Sequence, residues 1–592
     1  PHGGRTFECF SEDPYLTARM TVAYVKGVQA QRVITCTKVL AANNQEWNRF
    51  DVDAQMDERT LREIYLPAIK AAVQEADTWS IMAAYNRALG HYCCENKHLL
   101  TEVLKDEWGF TGMTVSDWGG ARSTVKMAHA GLDLEMPSGK YYDEKLLKAV
   151  RDGRVDESIV DDKVRRILRV MFKAGLFDES VADYGGHSDT PERRALALKM
   201  AQESIVLLKN NGGLLPLDRR RIGSIAVIGP NGDTARVGGA GSGAVKGNYG
   251  ISPWQGIRDV AGERITVSFE RGVDEQLLEL PVVGPDLFRQ SDGQPGIRGE
   301  YFANRDLEGE PVLTRVEKAI DFDWGYGAWH PEGGPGTPEP GVVPLDKWSA
   351  RWTGQLVSPG DGWYQIGLQA DNGVRLFLDG KKIVDSWTDA RPAKFKMARY
   401  RFEAGRRYDL RVDFYENAGS SRCRLGLAPC RDAPSLDDTV ALASKSDVVI
   451  LCLGLNEEME GESMDREELT LPADQRKLVE AVARANKHTV VVLNNGTPIL
   501  MEEWVDRVPA ILEAFYPGQE GGRALADILF GDVSPSGRLP LTFPKRWEDC
   551  PAYGTYPGAK EVAYYQEGIF VGYRHFDREK IAPRFPFGHG LS

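Results

Sequence analysis

The segment T-V-S-D-W-G-G, residues 114–120, ends a short apolar run with a single carboxylate, that of Asp117. In α/β folds, ligands meet the carboxyl ends of parallel strands, so an acid one step past a strand is well placed for catalysis. Trp118 offers an apolar wall, and Gly119-Gly120 allows close approach of backbone or substrate. A helix N-cap before A-R-S-T-V-K-M-A is the alternative, and on this segment alone it is the simpler interpretation.

A second candidate is the acidic segment L-G-L-N-E-E-M-E-G-E-S-M-D-R-E, residues 453–467, which follows a predicted buried strand. A solvated acidic loop is the usual explanation for such a run. Clustered carboxylates also raise one another's pKa, as a general acid at neutral pH requires. One of these acids could therefore pair with Asp117 across a domain interface, a favoured place for ligand pockets.

Composition excludes several other classes of function. The net charge of −13 and the lack of a long basic run argue against nucleic acids and anionic membranes as partners. No run of about 18 apolar residues is present, so no membrane span is predicted. Neither C-x-x-C nor H-E-x-x-H spacing occurs, so we expect no protein-bound metal and no cofactor.

The elements that must position these acids belong to two α/β patterns. Residues 1–175 alternate apolar runs, at 32–39, 80–85 and 112–115, with a helical pattern over 57–76. Such alternation predicts parallel strands with right-handed crossovers, hence an α/β sheet or a TIM-like (β/α) barrel, of which these residues would be the C-terminal part. Too few strands are present for a complete barrel of eight.

The second pattern predicts an α/β sandwich domain that is interrupted by an insert. Continuous apolar runs at 224–228, 447–453, 489–493 and 510–515 are typical of a parallel sheet buried on both faces. Aromatic-rich alternating strands between them predict an all-β insert. The expected order is a partial barrel at 1–175, a linker at 176–197, a sandwich at 198–289 and 433–592, and the insert at 290–432.

The two ends of the sequence are abrupt. It begins at Pro1 in a Gly-rich turn and stops at F-P-F-G-H-G-L-S. A piece of a longer protein is the interpretation we favour, with a missing N-terminal part of the same protein as an expected partner. A homo-oligomer is also compatible with the sequence, and the compartment (secreted, periplasmic or cytoplasmic) stays open.

Six segments in order give the chain a resemblance to a known family. G-G-R-T-F-E-C-F-S-E-D-P-Y-L, A-A-N-N-Q-E, T-V-S-D-W-G, A-G-L-D-L-E-M-P, S-G-R-L-P-L-T-F-P and F-P-F-G-H-G-L-S together resemble glycoside hydrolase family 3. The insert resembles a PA14 domain, mainly through D-N-G-V-R-L-F-L-D-G-K-K-I-V-D-S-W. Members of the family that carry a PA14 domain look most like β-glucosidases. The resemblance implies that the insert lies over the entrance of the sugar pocket and limits the length of the substrate.

The resemblance implies a retaining double displacement on short β-glucosides. Asp117 would be the nucleophile that forms a glycosyl-enzyme ester. Gly461-Glu462-Ser463-Met464-Asp465-Arg466 is similar to the family's acid/base motif, so Glu462 would be the acid/base, with Glu460 as the alternative. A retaining pair needs carboxyl groups roughly 5–5.5 Å apart. Only docking of the two α/β domains can bring these distant residues together.

The resemblance also implies five sugar-binding residues: Arg5, Lys38, Met82, Tyr85 and Trp118. Plainer interpretations remain open for some of them. Met82 and Tyr85 could belong to the barrel core, and Arg5 could be a surface residue on a flexible terminus. Lys38 is predicted to lie mid-strand among apolar neighbours, where a buried ammonium needs a partner.

One departure from the family pattern concerns the sugar site. The family usually has K-H-F where this chain has Lys38-Val39-Leu40, so a histidine that donates to a sugar hydroxyl is absent. We therefore predict weaker or altered contact with the first sugar. A β-xylosidase of the same family and a catalytically impaired carbohydrate-binding protein are the alternatives to a β-glucosidase.

Overall fold

The computed structural model describes residues 2–178, 189–273, 280–325, 335–387, 394–417, 421–430, 435–559 and 561–592. The chain forms two compact units, of which the first comprises Pro1–Gly272 with Leu436–Ser592 and the second comprises Val273–Ser435. Residues 179–188, which make up much of the predicted linker, lie outside the described residues.

The N-terminal part of the first unit alternates helices with short strands. In chain order these are α1 (Pro14–Gln29), β1 (Cys36–Leu40), β2 (Asp53–Gln55), α2 (Glu58–Thr60), α3 (Pro67–Gln74), β3 (Ser80–Ala83), β4 (Arg87–Ala88), β5 (His91–Tyr92), β6 (Met113–Ser116), α4 (Val125–Ala130), α5 (Glu144–Arg151) and α6 (Glu157–Lys173), with π-helical segments at Leu61–Tyr65 and His98–Glu107. Helix α1 begins where its sequence requires, because the Asp13 carboxylate accepts from Leu16 N–H and Pro14 occupies the first turn.

Three parallel strands of this part carry the first candidate acid. The sheet order is β1-β3-β6, which confirms the three strands predicted from the apolar runs. β3 is buried along its whole length, as expected for a strand covered on both faces. In the described part of the chain β1 pairs with β3 alone, so its other edge is open.

The next elements of the first unit are α7 (Pro191–Ser204), β7 (Val206–Asn210), β8 (Ser224–Ile228), α8 (Pro253–Ala261) and β9 (Thr266–Glu270).

The second unit then contributes eleven strands within the described residues. They are β10 (Phe288–Arg289), β11 (Ile297–Phe302), β12 (Leu313–Glu317), β13 (Asp321–Gly325), β14 (Trp348–Val357), β15 (Gly362–Ala370), β16 (Val374–Leu378), β17 (Lys381–Ser386), β18 (Lys394–Phe402), β19 (Arg407–Glu416) and β20 (Ser421–Pro429).

These eleven strands form two antiparallel sheets around one apolar core. One sheet has the order β12-β11-β14-β19-β16-β17 with β10 beside β14, and the other has the order β13-β20-β15-β18. Core residues come from both sheets, among them Trp348, Trp352, Ile366 and Leu368. Eight aromatic side chains lie among the aliphatic ones in this core, which accounts for the aromatic-rich alternation of the sequence.

The segment Asp371-Asn372-Gly373 links β15 in one sheet to β16 in the other, so it is not a hairpin turn. Asp371 and Asn372 are 1% and 2% exposed. Asp371 accepts from Arg422 N–H, and the Asn372 amide donates to Glu416. Both side chains therefore hydrogen-bond within the interior of this unit.

The chain returns to the first unit with α9 (Leu436–Lys445), β21 (Val448–Gly454), α10 (Ala473–Ala485), β22 (Thr489–Asn494), β23 (Ala510–Glu513), α11 (Gly521–Leu529), β24 (Val562–Tyr564) and α12 (Tyr573–Glu579). The sheet order is β7-β23-β22-β21-β8-β9, with only β7 antiparallel. The four strands predicted from apolar runs are confirmed as its centre. β24 pairs in parallel with β2, which joins the sequence-distant parts of the unit.

Candidate active site

Asp117 lies directly after β6, at the carboxyl end of the parallel sheet. Its backbone N–H donates to Ala83 O at 3.0 Å, which fixes it to the end of β3. The side chain is buried, and its Oδ1 accepts from Trp118 N–H at 2.8 Å. Within the described residues, Oδ2 is buried and has no hydrogen-bond partner. Such an atom in a native fold needs an explanation, and a waiting substrate is one.

The turn after Asp117 decides between the two interpretations of T-V-S-D-W-G-G. The following helix, α4, begins only at Val125, with Thr124 as its N-cap. The prediction that Asp117 caps this helix is therefore wrong. Gly120 N–H donates to Asp117 O at 2.9 Å and closes a tight turn. This turn leaves Trp118 51% exposed beside the carboxylate.

Glu462 lies on the loop that follows β21, where three segments of the chain meet. Its Oε1 accepts from Arg49 at 2.9 Å and from Arg5 at 3.4 Å. Its Oε2 accepts from Ser242 N–H at 2.6 Å. Burial by itself raises the pKa of Glu462, but the hydrogen bonds from Ser242, the charge of Arg5 and the hydrogen bond from Arg49 outweigh burial and lower it to about 2.

The sequence-based expectation for this loop was the opposite, because clustered acids raise one another's pKa. For Glu462 that expectation is wrong. Two guanidinium groups lie next to its carboxylate, and an opposite charge within about 4–6 Å favours the ionised form. Both arginines come from distant parts of the sequence, so the local run of acids gave no indication of them.

Glu460, the alternative acid, has a different environment. It is fully buried, and it accepts from Gly496 N–H at 2.5 Å, from Thr497 Oγ1 at 2.9 Å and from the Tyr516 hydroxyl. Burial raises its pKa, opposed by these hydrogen bonds. Both carboxylate oxygens are thus occupied by partners from the segments that follow β22 and β23.

Asp465 docks the Glu462 loop onto the N-terminal part of the unit. Its Oδ1 accepts from Gly4 N–H at 2.9 Å, and its Oδ2 accepts from Glu46 N–H at 2.9 Å and Trp47 N–H at 3.0 Å. Gly4 is required for this close approach, since a Cβ there would lie 1.5 Å from Met464 O. The expected docking of the two α/β parts is therefore built by backbone contacts around one carboxylate.

Arg49 and Tyr85 connect the Glu462 loop to Asp117. The Arg49 guanidinium lies 4.7 Å from the centre of the Tyr85 ring and binds both Glu462 and, at 2.7 Å, Glu46. Burial, and then the negative charge of Asp117, raise the pKa of the Tyr85 hydroxyl well above its ordinary value, and Glu462 adds to this effect. Tyr85 therefore lies within electrostatic range of both candidate catalytic carboxylates.

The remaining predicted residues differ in exposure. Arg5 is held by Glu8 in a bidentate pair, both bonds 2.8 Å, and its side chain is 12% exposed, so the flexible-terminus interpretation is wrong. Lys38 is not buried as expected, because its side chain is 35% exposed with Nζ 4.0 Å from Glu8. Met82, on β3, is buried.

A cavity of about 890 Å³ borders this region. Arg5, Lys38, Glu8, Val39 and Glu46 are among its lining residues. Asp117, Met82, Tyr85, Trp118 and Glu462 are not, although all five belong to the described residues. Contacts thus link six of the predicted residues, Arg5, Lys38, Glu462, Tyr85, Asp117 and Trp118, directly or through Glu8 and Arg49, and two of them, Arg5 and Lys38, line the large cavity.

Comparison with known proteins places this arrangement in a family. Residues 1–170 match the description "Glycosyl hydrolase family 3 N terminal domain", and residues 205–573 match "Glycosyl hydrolase family 3 C-terminal domain". The chain belongs to glycosyl hydrolase family 3. It is therefore a glycoside hydrolase with the mixed α/β fold of that family.

Individual relatives of this family 3 chain extend over nearly all of it. A β-glucosidase of Rhizobium radiobacter is 41% identical over 610 residues, which cover 99% of this chain and 71% of that protein. A probable β-glucosidase K of Emericella nidulans is 35% identical, covering 100% and 72%. The solved β-glucosidase from Kluyveromyces marxianus in complex with glucose has a TM-score of 0.77 and 31% identity, covering 100% and 72%.

A second solved structure, DesR, a β-glucosidase from Streptomyces venezuelae in complex with D-glucose, has a TM-score of 0.74 and 33% identity, covering all of this chain and 71% of that one. Both of these solved structures, which are similar to this family 3 chain, contain glucose.

Sequence reasoning missed three residues of the site: Glu8, Arg49 and Ser242. Glu8 lies three residues after Arg5, a spacing that could have identified the pair. Arg49 lies three residues after Glu46 in the matched segment that begins A-A-N-N-Q-E. Ser242 lies 220 residues before Glu462, and only its glycine-rich surroundings gave a signal.

Two further findings concern cofactors and membranes. The described residues hold no group of three or more His, Cys, Asp or Glu side chains arranged to bind a metal ion. None of the described helices combines the length and the apolar character that crossing a bilayer requires.

Proposed function

We propose that this chain is a retaining, exo-acting β-glucosidase that removes terminal β-D-glucosyl residues from short glucosides. The observation that carries the proposal is the free, buried Oδ2 of Asp117, at the strand end where family 3 chemistry is expected. Its other oxygen is already fixed by Trp118 N–H, so the carboxylate is oriented before substrate arrives. The relatives named β-glucosidase and the glucose in two similar structures support this choice of substrate.

In this proposal, Asp117 Oδ2 attacks the anomeric carbon while Glu462 gives a proton to the departing glycosidic oxygen. Water, deprotonated by Glu462, then hydrolyses the glycosyl ester and restores both carboxyl groups. Trp118 would cover the apolar face of the sugar, and Arg5, Lys38, Met82 and Tyr85 would bind its other sides.

The arginine contacts of Glu462 place a condition on this mechanism. With a pKa of about 2, Glu462 is ionised at neutral pH, which suits the base step but not the acid step. We propose that a sugar hydroxyl draws Arg5 away, since its 3.4 Å contact is the longer of the two arginine contacts. Loss of an opposite charge raises the pKa of a carboxyl group, so substrate itself would prepare the acid.

Initial rates on aryl β-glucoside and aryl β-xyloside test the substrate. A β-glucosidase hydrolyses the glucoside with the higher kcat/KM, whereas the reverse order would favour the β-xylosidase alternative. Calorimetric titration with glucose beside the same assay tests the carbohydrate-binding alternative, for which Val39 is the motive. Binding without hydrolysis of either substrate would favour that alternative.

We also propose that the sheet β1-β3-β6 belongs to a larger (β/α) barrel to which a further segment of the protein contributes. The open edge of β1 in the described chain and the cavity beside Arg5 and Lys38 support this proposal. Adding a segment that carries the preceding strands should raise kcat/KM on aryl β-glucoside and shrink the cavity. An unchanged rate in the presence of that segment would contradict the proposal.

For the second unit we propose a PA14-like module that limits substrate length. Its two antiparallel sheets around an aromatic core and the motif over 371–387 support the proposal. Replacing residues 280–430 by a short Gly/Ser linker should raise the rate on longer β-glucosides relative to the disaccharide. An unchanged preference for chain length would remove this role.

A further inference from the structure

A glycine-rich loop, residues 238–243, lies against the Glu462 loop and the segment that carries Arg5. Ser242 N–H donates to Glu462 Oε2 at 2.6 Å, and Arg5 Nη2 donates to Ser242 Oγ at 3.2 Å. Ser242 itself is exposed, whereas Glu462 beneath it is half-buried. Loop 238–243 therefore covers Glu462 from the solvent side and contacts one of its two arginine partners.

Two glycines of this loop allow its close approach to neighbouring segments. Gly241 has φ +90°, and a Cβ on it would lie 2.3 Å from Glu462 Cβ. A Cβ on Gly239 would lie 2.3 Å from the Phe7 ring. At Gly238 the same addition would meet nothing within 4 Å among the described residues. The requirement for glycine is thus strongest where the loop meets Glu462 and Phe7, and it is absent at the start of the described loop.

We propose that Ser242 is a positioning residue of the hydrolysis: its amide holds the Glu462 carboxylate in one orientation, its hydroxyl holds Arg5 beside that carboxylate, and Gly241 lets the loop come close enough to do so. This inference rests on the proposed role of Glu462 as acid/base. Because Ser242 N–H holds Oε2, the direction of the other oxygen, Oε1, which Arg49 and Arg5 contact, is also defined. Ser242 would act through Glu462, with no part in the bond changes themselves.

Other charged and titratable groups around Glu462 also influence its pKa. Arg5 and Glu8 face it from the N-terminal segment, Arg49 and Glu46 from the segment 46–49, and Tyr85 from the end of β3. Glu46 also accepts from Ser463 N–H on the Glu462 loop at 2.7 Å. Hydrogen bonding from Ser242 lowers the pKa of Glu462 against the opposing effect of burial. Removing the Ser242 hydroxyl should therefore raise that pKa.

The experiment measures kcat/KM against pH on an aryl β-glucoside for the wild type, Ser242→Ala, Gly241→Ala, Gly238→Ala and Glu462→Ala. The limb of the profile that Glu462→Ala loses is assigned to Glu462. We expect Ser242→Ala to move that limb upward by about half to one pH unit, the scale of one ordinary hydrogen bond, and to leave the other limb in place.

Leaving-group dependence separates positioning from general damage. Gly241→Ala should lower the rate on a glucoside with a poor leaving group by about 10-fold or more, and the rate on one with a good leaving group far less, because only the former needs an aligned proton donor. Gly238→Ala should stay within about 2-fold of the wild type on both, since an added Cβ meets open space.

The same measurements distinguish failure of this inference from failure of the proposed function. A wild-type chain that hydrolyses neither substrate overturns the proposed function. An active wild type overturns this inference if Ser242→Ala has the wild-type pH profile, or if it loses activity equally at every pH and on both substrates. It is equally overturned if Gly241→Ala and Gly238→Ala behave alike.

Discussion

Asp117 and Glu462 belong to the same unit and carry the same functional group, but the chain holds them in different ways. Asp117 is one residue past β6, on a sheet fixed by backbone hydrogen bonds, and one of its oxygens is free within the described chain. Glu462 is eight residues past the end of β21, and two arginines and an amide occupy its carboxylate.

The difference teaches how each group obtains its reactivity. A nucleophile needs a fixed position and an unoccupied lone pair, which a strand end supplies locally. An acid/base must change protonation state during turnover, so its partners must be able to rearrange. A loop whose carboxylate is held by two arginine side chains and one backbone N–H from three other segments allows this rearrangement, and a strand end does not.

The largest effect is expected from replacing the fixed carboxylate. Asp117→Asn keeps the shape and the bond from Trp118 N–H but removes the nucleophilic charge, so kcat should fall at least ~10⁴-fold on every glucoside, the scale on which loss of a catalytic nucleophile acts. Steady-state kinetics with purified protein measure this fall. Glucose binding by calorimetry should persist, which separates lost chemistry from lost folding. Residual activity above about 1% of the wild type would exclude Asp117 as the nucleophile.

The loss of activity in Glu462→Ala should depend on the leaving group of the glucoside, whereas the loss in Asp117→Asn should not. General acid catalysis contributes about 10²–10⁴-fold, and we expect a loss of that size on glucosides with alkyl or sugar leaving groups. On aryl glucosides whose leaving groups depart without protonation, the rate of the first step, formation of the glycosyl-enzyme, should fall far less. Rates on a series of leaving groups measure this dependence. An equal loss across the series would remove Glu462 from the role of acid/base, and the same series on Glu460→Ala serves as the control for the buried neighbour.

This contrast also explains what the sequence could predict. Asp117 and its strand depend on local patterning, an apolar run followed by an acid and two glycines, and the strand was found at nearly its observed bounds. The contacts of Glu462 join residues 457, 413 and 220 positions apart. No periodicity in the sequence encodes such pairs, so the direction of its pKa shift was predicted wrongly.

Lys38 illustrates a second limit of sequence reasoning. Its apolar neighbours predicted a buried ammonium, but the strand begins four residues later than the apolar run and Lys38 is 35% exposed. In the described chain β1 is an edge strand that borders a large cavity, and a sequence pattern does not specify what covers an edge. The parallel strands β21, β22 and β23 were easier to predict, because they are buried along their whole length.

Arg49 contacts Glu462 directly, whereas its connection to Asp117 among the described residues is through Tyr85. Its replacement should therefore affect Glu462 more than Asp117. Arg49→Met should lower kcat/KM by about 10- to 100-fold, the equivalent of ~1.5–3 kcal/mol for a charged hydrogen bond. The Glu462 limb of the pH profile should move upward, because an opposite charge is lost. Urea unfolding should show reduced stability, since Glu46 stays buried without its ion-pair partner.

Arg122 provides a matched control for Arg49. Both guanidinium groups lie against the Phe50 ring, at 5.8 Å for Arg122 and 5.3 Å for Arg49, and Arg122 also donates to Phe50 O at 2.7 Å. Arg122→Met removes a cation of the same kind without touching Glu462, so the Glu462 limb should stay in place. If both variants shift the pH profile equally, the specific contact between Arg49 and Glu462 is not the cause.

The smallest effect is expected at Val39, where the family resemblance implies a histidine that donates to the sugar. Val39 is half-buried, lines the cavity and packs against the core of the N-terminal part. Val39→His should lower KM for aryl β-glucoside by about 2- to 10-fold with kcat nearly unchanged, since one ordinary hydrogen bond is gained in the bound state. Val39→Phe supplies a ring of similar size without an N–H, so it should bring no such gain. If both variants lower KM equally, filled volume and not the hydrogen bond is what this position lacks.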